Sequence, residues 1–215
     1  IATVFALFET GRLTVRGAST VIQLELRDGP IPVEVVASAE GIERVVMTQR
    51  KPQFLATYQA EEVLPVWGLS PGAVLPAVPI QVVSTGTPQL MVPLKGLAEL
   101  RNLQVDAAAY RRLLARGDFF SAHLFCLQGA TPAGQTFARH LAPFEDPFTG
   151  SATGGMGAYL WRYGLIDQPT FVAEQGHWME RPGQATVEVV GPRSDITTVK
   201  VGGSAVTVLH GELLL

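Results

Sequence analysis

The chain has 215 residues, 47% of them hydrophobic and 16% charged, with a formal net charge of −3 at pH 7. This is ordinary for a globular protein with room for one large or two small domains, and it argues against non-specific binding to nucleic acid or another polyanion. A single cysteine excludes an intrachain disulfide and accords with a reducing, cytoplasmic compartment.

Ile1 to Phe8 is an apolar run that stops at Glu9-Thr10-Gly11. Its β-branched residues suit a strand. Aligning Gly11 with Gly164 instead lays Ala6–Gly11 over Tyr159–Gly164, two apolar helix ends each closed by glycine. Arg12 to Val15 alternates and predicts a strand. Residues 12–50 then read as a meander: Val21 to Leu26 alternates, Asp28-Gly29 signals a hairpin, and Ile31 to Val36 and Arg44 to Thr48 supply further strands. Gln49 to Tyr58 reads as a proline-interrupted connection, and the domain change is placed near residues 50–60.

Ala60 to Leu69 predicts a short helix that Pro65 limits or kinks. Residues 63–94 carry no charge, but Pro65, Pro71, Pro76, Pro79, Pro88 and Pro93 cut the run into pieces too short to span a bilayer as one helix. Ile80 to Val83 and Leu90 to Leu94 read as strands around Ser84-Thr85-Gly86. Ala107 to Arg116 is an amphipathic helix with Tyr110, Leu113 and Leu114 inward. Phe119 to Gln128 predicts a buried strand.

The stretch from Glu145 to Gly164, EDPFTGSATGGMGAYLWRYG, organises the chain. Pro147 disfavours helix at Asp146. Thr149 and Ser151 are placed to cap a helix running to about Tyr163, with Gly164 as a left-handed stop. The free N–H groups of Gly150, Ser151 and Ala152 at such a start make an anion site, with Asp146 beside it. Gly154, Gly155 and Gly157 each cost about 1 kcal/mol relative to alanine inside a helix. The helix is therefore expected to be buried, with strands pressed against the glycines. Further strands are expected near residues 170–176, 185–190, 196–201 and 204–214. Strands, one buried helix, then strands again favour an α+β fold.

EDPFTGSATGGMGAYL resembles the signature of the phenazine-biosynthesis-like (PhzF-like) family. Val83 to Pro88, AEQGHWMERPG from Ala173 to Gly183, and the terminal VGGSAVTVLHGELLL agree with it in order. The resemblance implies a diaminopimelate-epimerase-like fold: two pseudo-symmetric domains, each a rolled β-sheet around a central helix, with the active site in the inter-domain cleft. On this reading residues 1–55 are the remainder of an N-terminal domain and residues 56–203 a C-terminal domain. Residues 204–215 form a terminal strand returning to the first domain. The family's Gly-His turn and principal acidic residue are expected ahead of Ile1, which is read as not the natural start. The connection around Pro143 to Glu145 is shorter than the family's, through a deletion or a dropped loop.

The resemblance implies a cofactor-independent isomerase that moves a proton on a small carboxylate-bearing substrate, working as a homodimer without nucleic acid or membrane partners. Asp146 is the catalytic candidate, against the plainer reading that it caps a turn. Thr149, Gly150 and Ser151 would bind the substrate anion, although helix capping accounts for them too. Gly86, beside Thr85, would contact substrate or merely make a tight turn. Gln175 and Gly176 stand where the family's Gln-Gly turn approaches the site. His123, His140, His177 and His210 lack mutual metal-ligand spacing, so no metal is expected. Cys126 reads as a small buried hydrophobe rather than one of the two thiols of a racemase. A catalytically silent binding or dimerisation protein is the alternative.

Overall fold

The computed structural model describes residues 1–141 and 144–211. They form two compact units: Ile1–Thr48 with residues 202–211, and Gln49–Val201. Residues 142–143, part of the stretch where a short connection was expected, and the last residues of the expected terminal strand lie outside the described residues.

In the first unit the opening apolar run is a helix, α1 (Ala2–Glu9). Its spacing decides the matter. Val4 and Phe8, four residues apart, share one face and are buried with Val33, Val35 and Val45. The Thr10 hydroxyl donates to the Ala6 carbonyl at 2.7 Å, and Gly11 at φ +71° turns the chain away. Strands β1 (Ser19–Leu24), β2 (Ile31–Ser38) and β3 (Gly41–Thr48) follow as an antiparallel meander. Gly29, at φ +102°, makes the turn before β2.

Two expectations fail in this unit. Arg12 to Val15 is not a strand: the Leu13 N–H donates to the Leu7 carbonyl at 3.0 Å, so this backbone closes the end of α1 instead of joining a ladder. Residues 204–211 have no regular structure, and Val206, Val208 and Leu209 are exposed. Alternation makes a strand only where a neighbouring backbone takes its hydrogen bonds, whereas here the hydroxyl of Thr207 donates to the carboxylate of Glu9.

The second unit begins with β4 (Gln53–Tyr58), where the sequence reading had only a connection. Pro52 precedes the strand, and β4 is an edge strand paired to one neighbour, positions that proline tolerates. Its ladder bulges between Phe54 and Thr57, and the Gln81 side chain donates to the Leu55 carbonyl in the gap, at 2.9 Å. The short helix α2 (Ala60–Val63) tightens into a 3₁₀ turn, Leu64–Trp67, as Pro65 enters, and ends at Gly68 with φ +70°. Then come β5 (Ile80–Ser84), β6 (Pro88–Pro93), α3 (Leu97–Arg101), α4 (Ala107–Arg116) and β7 (Ser121–Cys126). The Asp106 carboxylate caps α4, accepting from the N–H groups of Ala108 and Ala109 at 2.9 Å each. The chain continues through β8 (Thr136–Leu141), β9 (Glu145–Asp146), α5 (Gly150–Arg162), β10 (Thr170–Gln175), β11 (Gly183–Val190) and β12 (Thr198–Gly203).

The strand order here is β12-β11-β10-β8-β7-β6-β5-β4, with β9 on β8. Only β6–β7 and β8–β10 are parallel among the registers β4 to β11. Period-2 alternation divides the inner strands between two cores. Val82, Leu90, Val92, Ala122, Leu124 and Phe137 face one core, with α2, α3 and α4. Val83, Met91, Phe125 and Ala138 face the other, with α5.

The expected burial of α5 holds: every residue from Ala152 to Leu160 is buried. A Cβ on Gly155 would come within 2.8 Å of Met91 on β6, and one on Gly157 within 2.7 Å of Val187 on β11. Strands β6 and β11, four places apart in the order, thus close on the helix where it has no side chains. This packing offsets a propensity deficit of about 3 kcal/mol.

Candidate active site

The two carboxylates of Glu145-Asp146 are separated by strand geometry. β9 pairs with β8 so that Leu141 opposes Glu145 and His140 opposes Asp146. Successive side chains take opposite faces. Glu145 accepts from Arg139 Nε at 2.8 Å and Nη2 at 2.6 Å, and Arg139 Nη1 donates to the Leu100 carbonyl at 2.8 Å. That fork–fork pair neutralises Glu145 and anchors β9. Asp146 lies on the other face, that of α5 and His140.

After Asp146 the chain makes a short turn into α5. Asp146 Oδ2 accepts from the Thr149 hydroxyl at 2.7 Å, and Oδ1 accepts from the Phe148 N–H at 3.4 Å. A carboxylate has about four acceptor positions, so both oxygens keep capacity for a proton. The buried Gln175 amide spans the same turn. Its Nε2 donates to the Asp146 carbonyl at 2.6 Å, and its Oε1 accepts from the Thr149 N–H at 3.2 Å. Gly176 follows at φ +82°, and a Cβ there would strike the carbonyl oxygens of Pro147 and Arg181. Only glycine combines that φ with that approach.

Thr149 occupies the N-cap position of α5, but its hydroxyl bonds Asp146, so no side chain caps the helix. The first intrahelical bond runs from the Thr153 N–H to the Thr149 carbonyl at 2.9 Å. The N–H groups of Gly150, Ser151 and Ala152 precede it. A Cβ on Gly150 or on Gly86 would meet nothing within 4 Å, so the helix start and the Thr85-Gly86 turn face open space.

Behind that start, Gln49 Nε2 donates to the Gly150 carbonyl at 2.8 Å. Its Oε1 accepts from the Thr85 hydroxyl at 2.5 Å, and its own carbonyl accepts from the Thr198 hydroxyl at 2.5 Å. The first-turn carbonyls are thus held from behind while the N–H groups point the other way, the arrangement that favours an anion.

Near Asp146 runs a chain of buried polar side chains on the α5 face of the sheet. Ser121 Oγ lies 2.5 Å from Gln89 Oε1 and 2.8 Å from His140 Nε2, and His140 Nδ1 lies 3.3 Å from His123 Nδ1. One assignment strands no donor. His123 Nδ1–H donates to His140, His140 Nε2–H donates to Ser121, and the Ser121 hydroxyl donates to Gln89. The one unpartnered atom of this chain, His123 Nε2, is then a lone pair. Burial pushes His140 down to about 4, with the Asp146 carboxylate opposing it. Burial and the neighbouring His140 lower His123 well below its ordinary range. Burial also pushes the Cys126 thiol up to about 11, as suits a packed hydrophobe.

The structure brings Asp146, Thr149, Gly150, Ser151, Gln175 and Gly176 into one locus at the start of α5. Gly86 joins it through Thr85, whose hydroxyl also reaches the Ser151 carbonyl at 3.4 Å. Sequence reasoning missed Gln49, which carries no local signal. It also missed the Ser121–His123–His140 chain, where a signal existed: Ser121 and His123 are two apart in a strand and share a face. His177 lies apart from Asp146's turn, with Nε2 3.8 Å from the buried Glu174 carboxylate. Burial would raise Glu174, but the hydroxyl and N–H of Thr131 and the Gln184 amide hold it below the ordinary range.

Comparison with known proteins agrees along almost the whole chain. The family model described as phenazine biosynthesis-like protein matches residues 1–211. The uncharacterized isomerase YfhB of Bacillus subtilis is 28% identical over 195 residues, 88% of this chain and 65% of YfhB. The trans-2,3-dihydro-3-hydroxyanthranilate isomerase of Pseudomonas fluorescens is 26% identical over 90% of this chain and 67% of that protein. The crystal structure of the Bacillus anthracis phenazine biosynthesis protein, PhzF family, superposes with a TM-score of 0.84 at 28% identity, covering 99% of this chain and 74% of that one. The chain thus spans about two thirds of the length of the curated relatives it matches. Its fold is the α+β, diaminopimelate-epimerase-like one.

Proposed function

The chain belongs to the phenazine biosynthesis-like family, and on that premise we propose that it is an isomerase. It moves a proton between two carbons of a small carboxylate-bearing substrate, with no metal or organic cofactor. The observation that carries this reading is the placement of Asp146: a carboxylate fixed by Thr149, four residues before the uncapped helix start at Gly150. The substrate carboxylate binds the N–H groups of Gly150 and Ser151 and the Ser151 hydroxyl. Asp146, as carboxylate, takes a proton from one carbon. The electron pair left behind delocalises into the adjoining unsaturated system, and the protonated Asp146, whose acidic proton exchanges with solvent, delivers a proton to a second carbon. The negative charge of the carbanion stage is favoured by the helix N-terminus, which stabilises any oxyanion into which it spreads. Family resemblance alone supports a cytoplasmic homodimer.

The test uses trans-2,3-dihydro-3-hydroxyanthranilate, the compound in the Pseudomonas relative's name, in deuterium oxide, followed by proton NMR. Rearrangement with deuterium entering at carbon supports the isomerase. A ligand that binds without rearranging or exchanging leaves a silent binding protein.

A further inference from the structure

The family resemblance casts Gln175 as a substrate contact. Its geometry suits another task. The side chain is 2% exposed, and both ends of its amide meet the backbone on either side of the Asp-Pro-Phe-Thr turn. The donor end bonds the Asp146 carbonyl at 2.6 Å, and the acceptor end bonds the Thr149 N–H at 3.2 Å. The donor end also lies 3.4 Å from the Thr149 hydroxyl, which in turn holds Asp146 Oδ2. A carboxylate at this position would lack the donor, and a hydrocarbon would lack both ends.

The setting of Gln175 is as constrained as its contacts. It ends β10, where it opposes Ala138 of β8 in parallel register and Gly183 of β11 in antiparallel register. On one side, Glu174 is locked by Thr131 and Gln184. On the other, Gly176 has no room for a side chain beneath Pro147. Gln175 is therefore rigid where the Asp146 turn, at the end of a two-residue strand, is not self-supporting.

We propose that Gln175 is a positioning residue for Asp146: its amide fixes the turn from Asp146 to Thr149, and through Thr149 the carboxylate itself, without touching substrate. By occupying the Thr149 N–H it also confines the anion to Gly150 and the residues after it. The proposal deepens the isomerase reading and rests on it for its kinetic part.

The test compares the wild-type protein with Gln175→Met, which has no polar end, and Gln175→Glu, which keeps the acceptor and loses the donor. Amide exchange reads the turn directly. The Thr149 amide should be protected in the wild type and in Gln175→Glu, and should exchange about tenfold faster or more in Gln175→Met. In the isomerase assay both variants should lose about tenfold or more in kcat, with KM within about threefold, as expected of a displaced catalytic group. A tenfold rise in KM at unchanged kcat would overturn the proposal and make Gln175 a substrate ligand. Unchanged kinetics with a lowered melting temperature would leave it a plain scaffold residue. Should the wild type turn nothing over, the isomerase reading fails by itself, and the exchange comparison still decides whether Gln175 holds the turn. Should Gln175→Met not fold, the wild type suffices: a Thr149 amide no better protected than those of Gly150 and Ser151 contradicts the proposal, and a better protected one supports it.

Discussion

Gln49 reaches Gly150 across 101 positions of sequence, and the amide that makes this bond fills the space where a side chain on Gly154 would stand. The glycine of the second helical turn thus exists for a glutamine that holds the first. Helix propensity and packing therefore disagree about Gly154.

Gly154→Ala should show which of them wins. Alanine recovers about 1 kcal/mol of helix propensity. Its methyl group, however, displaces the Gln49 amide, losing the bonds to Gly150 and Thr85 and leaving buried polar atoms unpaired, at about 1–3 kcal/mol each. A net loss of about 2 kcal/mol or more is expected in urea denaturation. Gly150→Ala is the control, because its methyl group meets open space, and it should leave stability within about 0.5 kcal/mol.

Acid should weaken the second unit before its carboxylates titrate. His140 falls from 6.5 to about 4 on folding, and His123 falls as well. A base whose pKa is lowered on folding contributes stability that is intact above its unfolded value and lost as pH drops toward the folded one. The groups against His140 are His123, Ser121 and the opposing Asp146, and the last only moderates the effect. Between about pH 7 and about pH 5 the stability should fall by about 2 kcal/mol from His140 alone. His140→Gln should flatten that slope in urea titrations.

Ser151→Ala addresses the anion site. Affinity for a simple carboxylate such as benzoate should fall by about 1 kcal/mol if the hydroxyl makes one net bond, and by more if that bond is charge-assisted. Calorimetry reads it directly. Unchanged affinity would leave binding to the backbone N–H groups alone.

Local chemistry made much of the fold legible in advance. The glycines of α5 announced a buried helix, because three of them survive in a helix only under close neighbours, and Gly164 announced its end. Ala107 to Arg116 showed its inner face by spacing, and Asp28-Gly29 its turn. Distant partners were what the sequence withheld. The β4 edge strand looked like a connection because Pro52 and a bulge hid its period. Arg12 to Val15 alternated as a strand would, yet its backbone closed α1. At the candidate site the turn from Asp146 to Ser151 was readable as a unit. The two glutamines that hold it were not readable as holders, because Gln49 and Gln175 lie 101 and 29 positions from the groups they bind. The resemblance singled out Asp146, but the reason Glu145 is not its equal, opposite faces of β9 and a pairing with Arg139, lay in the ladder with β8.

Asp146→Asn tests the central claim most directly. Asparagine keeps an acceptor for Phe148 or Thr149 but takes no proton at neutral pH, so fold and carboxylate binding should persist. Solvent deuterium incorporation into bound trans-2,3-dihydro-3-hydroxyanthranilate, measured by NMR for wild type and variant side by side, should fall by about 100-fold or more in the variant. An exchange rate within about threefold of the wild type, with the ligand bound as tightly, would contradict the assignment of Asp146 as the group that carries the proton.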